Sequence, residues 1–166
     1  MKEISFKNDV MPLGNQLFRL ALRITLNRQE AEDVVQDTLM KLWNQRDEWN
    51  TIQNIEHYAM TICRNLALDL IDKRERQTLE FDPASHDQAD NAPTPDQQLI
   101  QQQQLEQIKQ IIDQLPEKQR TTLQLRDIEG KSYQEIADMM RITVSDVKVN
   151  IFRARQAIKN KITPKQ

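Results

Sequence analysis

Apolar positions recur at helical spacing along most of this chain. From about Gly14, the run of Leu17, Phe18, Leu20, Ala21, Leu22 and Ile24 predicts a strongly apolar helix, which Asn27–Gln29 should end. Glu30 to Asn44 then sets Val34, Val35, Thr38, Leu39, Leu42 and Trp43 on one face. Glu30, Glu32, Asp33, Gln36, Asp37 and Lys41 fall on the other. After a polar loop expected over Asp47–Asn54, a third helix from about Ile55 to Gln77 carries a stripe of Tyr58, Ala59, Ile62, Leu66 and Leu70. Periodicity stops at residues 78–97, which hold three prolines, five acids and no base. That composition predicts a flexible acidic linker. Helical spacing resumes over Gln98–Leu115 with Leu105, Ile108, Ile111, Ile112 and Leu115, and Pro116 suits the first turn of a further helix that ends at Glu129–Gly130. Residues 1–12 show no pattern.

The stretch from Lys131 to Lys161 predicts two helices around a tight bend. Tyr133, Ile136, Ala137 and Met140 mark one buried face, and Ser132 with Glu135 forms a capping-box pattern at its start. The bend falls at Arg141–Thr143, and Thr143 or Ser145 can cap a second helix striped by Val144, Val147, Ile151, Ala154 and Ile158. The outward side is read as Asp146, Lys148, Asn150, Arg153, Arg155 and Lys159. Between 141 and 165 stand seven Lys/Arg and one acid. A short capped helix, a bend and a longer basic helix make the pattern of a helix-turn-helix, whose second helix enters a major groove. An ordinary helical hairpin with a solvated basic face has the same periodicity; the concentrated charge favours DNA.

Composition narrows the class. Two glycines and six prolines in 166 residues, with aromatics at 5 %, indicate an all-α protein with aliphatic cores. The fold class expected is two small helical domains, 1–77 and 98–166, joined by the flexible acidic linker 78–97, the second domain ending in the helix-turn-helix. The net charge of −2 argues against coating of nucleic acid by the whole molecule, while its skew toward a basic end suggests nucleic acid as one partner and protein as another. A single cysteine, Cys63, excludes an internal disulfide and reads as a small core residue. No apolar run approaches membrane-spanning length and no signal peptide opens the chain, so a cytoplasmic protein without membrane insertion is expected. His57 and His86 lack metal-ligand spacing with Cys63, and no glycine-rich phosphate loop exists. No metal, cofactor, small-molecule substrate or enzymatic activity is expected. Two readings of the acidic face at 31–43 stay open, solvated surface or docking face. The bases at Lys73, Arg74 and Arg76 can complement a helix dipole or face phosphates.

Several separate motifs, in order, carry a family resemblance. They are AEDVVQDTLMKLW (31–43), YAMTICRNLALDLIDKRER (58–76), LPEKQR (115–120), DIEGKSYQEIA (127–137) and VKVNIFRAR (147–155). Over about residues 13 to 162 the chain resembles a bacterial RNA polymerase sigma factor of the extracytoplasmic-function group, which keeps only the second and fourth sigma domains. The resemblance implies that Asp33, Gln36 and Asp37 dock on the clamp helices of core RNA polymerase. It also implies that Asn65 sits near the pocket for a flipped −10 base, with Arg64, Asp69, Lys73 and Arg74 along the same strand. Lys148, Asn150 and Arg153, flanked by Phe152 and Arg155, would grip or read the −35 element of promoter DNA. An anti-sigma factor is a further implied partner. The sequence departs from the family at the bend, where Arg141 replaces the usual glycine, at Val149 in place of a small polar residue, at Asn150 in place of a base, and at Leu39 in place of an aromatic. A stand-alone helix-turn-helix regulator with an N-terminal sensing or dimerisation domain is the alternative. A helical adaptor that binds only proteins would leave the basic end without a role.

Overall fold

A computed structural model describes residues 3–78 and 96–162, so most of the stretch expected as a linker lies outside the described residues. Seven α-helices carry the fold: α1 (Gly14–Thr25), α2 (Arg28–Asn44), α3 (Ile55–Thr78), α4 (Asp96–Asp113), α5 (Glu117–Leu123), α6 (Tyr133–Met140) and α7 (Val144–Ile162). No strand occurs among the described residues.

In the first half α1, α2 and α3 pack pairwise into a three-helix bundle. Leu17, Leu20 and Ile24 of α1 meet Val34 and Leu42 of α2 and Ala59 and Cys63 of α3 in its interior. The break between α1 and α2 is made by Leu26, which adopts the left-handed region at φ 58° and donates its N–H to Leu22 O. Asn27 then caps α2, its side chain accepting from Glu30 N at 2.9 Å. The last carbonyls of α1 are satisfied from far away in sequence: Arg120 donates to Arg23 O and Ile24 O, and Arg74 to Thr25 O. Helix ends leave such carbonyls orphaned, and cations there also complement the dipole.

Two stretches depart from expectation. Arg46–Thr51 is a 3-10 turn rather than a polar loop, because Trp49 is buried and donates its indole N–H to Leu42 O at 2.9 Å. Residues 6–13 form a π-helical turn (Phe6–Val10) and a 3-10 turn (Met11–Leu13). Val10 is fully buried, and Phe6 meets Trp43 edge-on at 5.2 Å and stacks on Trp49 at 6.4 Å. A single apolar anchor in a polar run has no period, so pattern alone misses both.

In the second half, α5 continues through a π-helical stretch (Gln124–Ile128) to Gly130, whose φ of 72° reverses the chain. Ser132 and Glu135 form the full capping box at the start of α6. The bend after α6 is made by Arg141 at φ 57° and ψ 45°, a left-handed conformation that costs a non-glycine residue about 1 kcal/mol. Thr143 Oγ1 then accepts from Asp146 N and caps α7.

The two halves lie against each other. One apolar cluster runs from α1–α3 through Leu125, Ile136, Met139, Met140, Val147 and Ile151. α3 is therefore sandwiched, with α1 and α2 on one side and α6 on the other. This explains why it is buried nearly all round between Ala59 and Cys63 and not along a single stripe. Its His57, Thr61 and Arg64 form a row facing the second half. Thr61 Oγ1 donates to Met139 O at 2.9 Å, and Arg64 Nη1 lies 3.5 Å from Met140 O.

Candidate polymerase and DNA interfaces

The acidic face of α2 is open. Asp33, Gln36 and Asp37 are exposed, because Ala31, Val34, Thr38 and Leu42 take the inward face. These three line a hollow between α2 and α3 that Asp69 and Lys73 also line. Residues expected to meet polymerase and residues expected to meet the −10 strand thus share one groove.

The −10 candidates divide. Asn65, Asp69 and Lys73 recur every four residues and are exposed, forming one ridge on α3. Arg64 points elsewhere: its side chain is only 12 % exposed, and its guanidinium makes a two-bond ion pair with Glu117 of α5 at 3.1 and 2.9 Å. Arg74 is held by Glu30 at 2.5 Å as well as by Thr25 O, so it ties α3 to the α1–α2 corner.

On α7, Lys148, Phe152, Arg153 and Arg155 are exposed. Lys148 Nζ sits 5.8 Å from the centre of the Tyr133 ring. Arg155 pairs with Asp127 at 3.2 and 2.5 Å, and those hydrogen bonds raise its pKa further. Asn150 corrects the sequence reading. It is 7 % exposed and lies with Val147, Ile151 and Ala154 on the inward face. Position 150 falls three after Val147 and four before Ala154, a spacing that marks the buried stripe. Its amide Nδ2 donates to Asp146 O at 2.8 Å and to Asp146 Oδ1 at 3.1 Å. Val149, passed over as a departure, is the residue that faces out.

The polar seam between the halves had no sequence signal, because its partners stand tens of residues apart. Arg19 makes two bonds of 2.8 Å to Glu129, a carboxylate 4 % exposed, which holds Glu129 below the usual carboxylate range. His57 Nε2 lies 2.9 Å from Glu135 Oε2, Arg23 donates to Gln124 at 3.0 Å, and Lys131 pairs with Glu56. Arg120 is buried against Leu115 O, Arg23 O and Ile24 O, and that burial lowers its pKa. Cys63 is buried in the first bundle, its thiol pushed up to about 12 by desolvation. Among the described residues no group of His, Cys, Asp or Glu is disposed to hold a metal, and no helix is long and apolar enough to cross a membrane.

A helical bundle with an open acidic α2, joined to a four-helix unit that ends in a capped helix-turn-helix, defines a promoter-recognition class, and comparison with known proteins agrees. The model of Sigma-70 region 2 matches residues 10–77, and that of Sigma-70, region 4 matches residues 105–158. RNA polymerase sigma-H factor of Pseudomonas aeruginosa is 29 % identical over 163 residues, covering 93 % of this chain and 84 % of its own. The ECF RNA polymerase sigma-E factor of Haemophilus influenzae is 28 % identical over 148 residues, covering 84 % and 78 %. Among solved structures, the sigma factor RpoE of Bartonella quintana, in complex with the anti-sigma factor NepR, superposes with a TM-score of 0.77 at 25 % identity, over 96 % of this chain and 98 % of that one. The chain belongs to the extracytoplasmic-function group of the bacterial sigma-70 family. It is a sigma factor that directs promoter recognition.

Proposed function

We propose that this chain joins core RNA polymerase through α2, places α7 in the −35 major groove, and offers the α3 ridge to an unstacked −10 strand. The observation that carries the reading is the outward face of α7. Behind a capping box and a left-handed turn, it carries Lys148, Arg153 and Arg155 in a stretch with a single acid. Such a helix fits a groove lined by phosphates, where cations replace condensed counterions. Asp33, Gln36 and Asp37 serve polymerase docking, since exposed carboxylates and an amide form charge-assisted bonds to a basic partner surface. Asn65 serves the −10 base, because an amide offers paired donor and acceptor to a Watson–Crick edge. Lys73 holds the strand's phosphates beside it.

Arg64 belongs to the same strand path but is committed to Glu117. Its engagement with DNA therefore requires the second half to swing away from α3, with residues 78–97 as the connector between domains 1–77 and 98–166. The chain supplies binding and no catalysis of its own, and it works in the cytoplasm beside the polymerase. By analogy with the complex of the Bartonella quintana protein, an anti-sigma factor is the partner that would hold the promoter-binding faces out of use.

Run-off transcription tests the reading. The purified chain is mixed with bacterial core polymerase and a pool of promoter fragments. Transcripts that require the chain are expected, with start sites that report its −10 and −35 sequences. Asn65→Ala should leave polymerase binding intact and impair promoter opening. Absence of transcripts, together with tight binding to one duplex without polymerase, would overturn the proposal.

A further inference from the structure

We propose that Val149 and Phe152 form an apolar pair that reads thymine methyl groups in the −35 element. The inference rests on α7 being the −35 reader. Val149 is 40 % exposed and Phe152 66 % exposed, three residues apart on one side of α7. Lys148 and Arg153 flank them on the same outward surface. The inward stripe of α7 is already complete in Val147, Asn150, Ile151 and Ala154, so Val149 and Phe152 make a contiguous apolar patch on the face that the cations also occupy. The cations on either side select a nucleic-acid partner over an apolar protein helix, for which seven bases between 141 and 165 would be a misfit.

The chemistry of the groove then specifies the contact. In the major groove of B-DNA the apolar group on a base edge is the C5-methyl of thymine. Asn150 is turned inward and bonded to Asp146, so its amide does not reach an adenine edge. Lys148 and Arg153 remain for guanine edges or phosphates. Val149 and Phe152 therefore meet A·T pairs through the thymine methyl, by shape and apolar contact. Val149 thereby acquires a role in specificity.

Thymine-to-deoxyuridine replacement isolates this contact, since it removes the methyl and leaves the hydrogen-bonding edge intact. On a promoter whose transcription requires the chain, each thymine of the −35 element is replaced in turn on either strand, and holoenzyme affinity and transcript yield are measured. At one or two positions affinity should fall about fourfold per methyl lost. Val149→Ser or Phe152→Ala should weaken binding to the thymine template and abolish the difference between thymine and uracil at its own position. Arg153→Ala should weaken both templates alike. Equal binding of thymine and uracil templates at every position, on a promoter still sensitive to its −35 sequence, overturns the methyl contact and leaves the −35 assignment standing. If no promoter requires the chain, or if −35 changes have no effect at all, the assignment of α7 fails and the methyl contact falls with it.

Discussion

Replacing Arg120 by Met keeps an aliphatic stem of similar length and removes the guanidinium that joins the two halves. That group donates to Leu115 O at 2.6 Å, Arg23 O at 3.0 Å and Ile24 O at 3.1 Å, and the residue is 9 % exposed. Two of these, to Arg23 O and Ile24 O, cross between the halves, and charge-assisted bonds stabilise by about 1.5–3 kcal/mol each. Against this, the wild-type guanidinium is desolvated, a penalty of several kcal/mol that the substitution relieves. The expected net loss is about 3 kcal/mol, or roughly a hundredfold in the ratio of closed to parted halves. The loss falls on the closed arrangement, because in the parted state water reaches the same carbonyls. Urea unfolding followed by two probes reads this directly. Trp43 and Trp49 both lie in the first half, so their fluorescence reports that half alone, whereas far-UV circular dichroism reports every helix. In the wild type the two curves should coincide. In Arg120→Met the dichroism curve should move to lower urea and precede the fluorescence curve. Coincident curves with an unmoved midpoint would refute the idea that this arginine couples the halves.

Three further outcomes follow from the same structure. Cys63 should resist alkylation in the native state through pH 9, since its thiol is pushed up to about 12, and should react once urea unfolds the first bundle; rapid native labelling would contradict that burial. Glu129 and Glu135 both titrate below their ordinary 4.5, Glu129 chiefly through Arg19 and Glu135 chiefly through the Ser132 backbone N–H with His57 second. The folded chain therefore binds fewer protons than the unfolded chain near that pH. The stability they contribute is complete above about 4.5 and is lost as pH falls through the lower folded values, so acid titration of stability should be flatter in Glu129→Gln. Arg153→Ala should weaken −35 duplex binding and reduce the salt dependence by about one counterion, while an unchanged slope would remove Arg153 from the phosphate or base contacts.

The helices of the two bundles and the helix-turn-helix were legible in the order of residues. Ser132 and Glu135 announce a helix start by type and spacing, and the structure shows both bonds of the box. Arg141 at the bend implies a left-handed residue without glycine, and φ 57° is what the backbone adopts there. Asn150 was misread because its residue type suggested base recognition, while its register, between Val147 and Ala154, already placed it inward. Trp49 and Phe6 escaped because one aromatic in a polar run has no neighbours from which to form a period.

What the sequence determined by itself is local: which long segments are helical, which residues cap them, and which motifs mark the family. Those properties depend on residues three or four apart, within reach of one another before any packing occurs. Only the tertiary structure decided that Arg64 faces Glu117, that Arg120 and Arg74 close the end of α1, and that Arg19 meets Glu129. Such pairs stand 49 to 110 residues apart, and nothing in the order of residues singles out one partner for each arginine. A charge has no direction along the chain, so its partner is chosen by how the apolar faces dock.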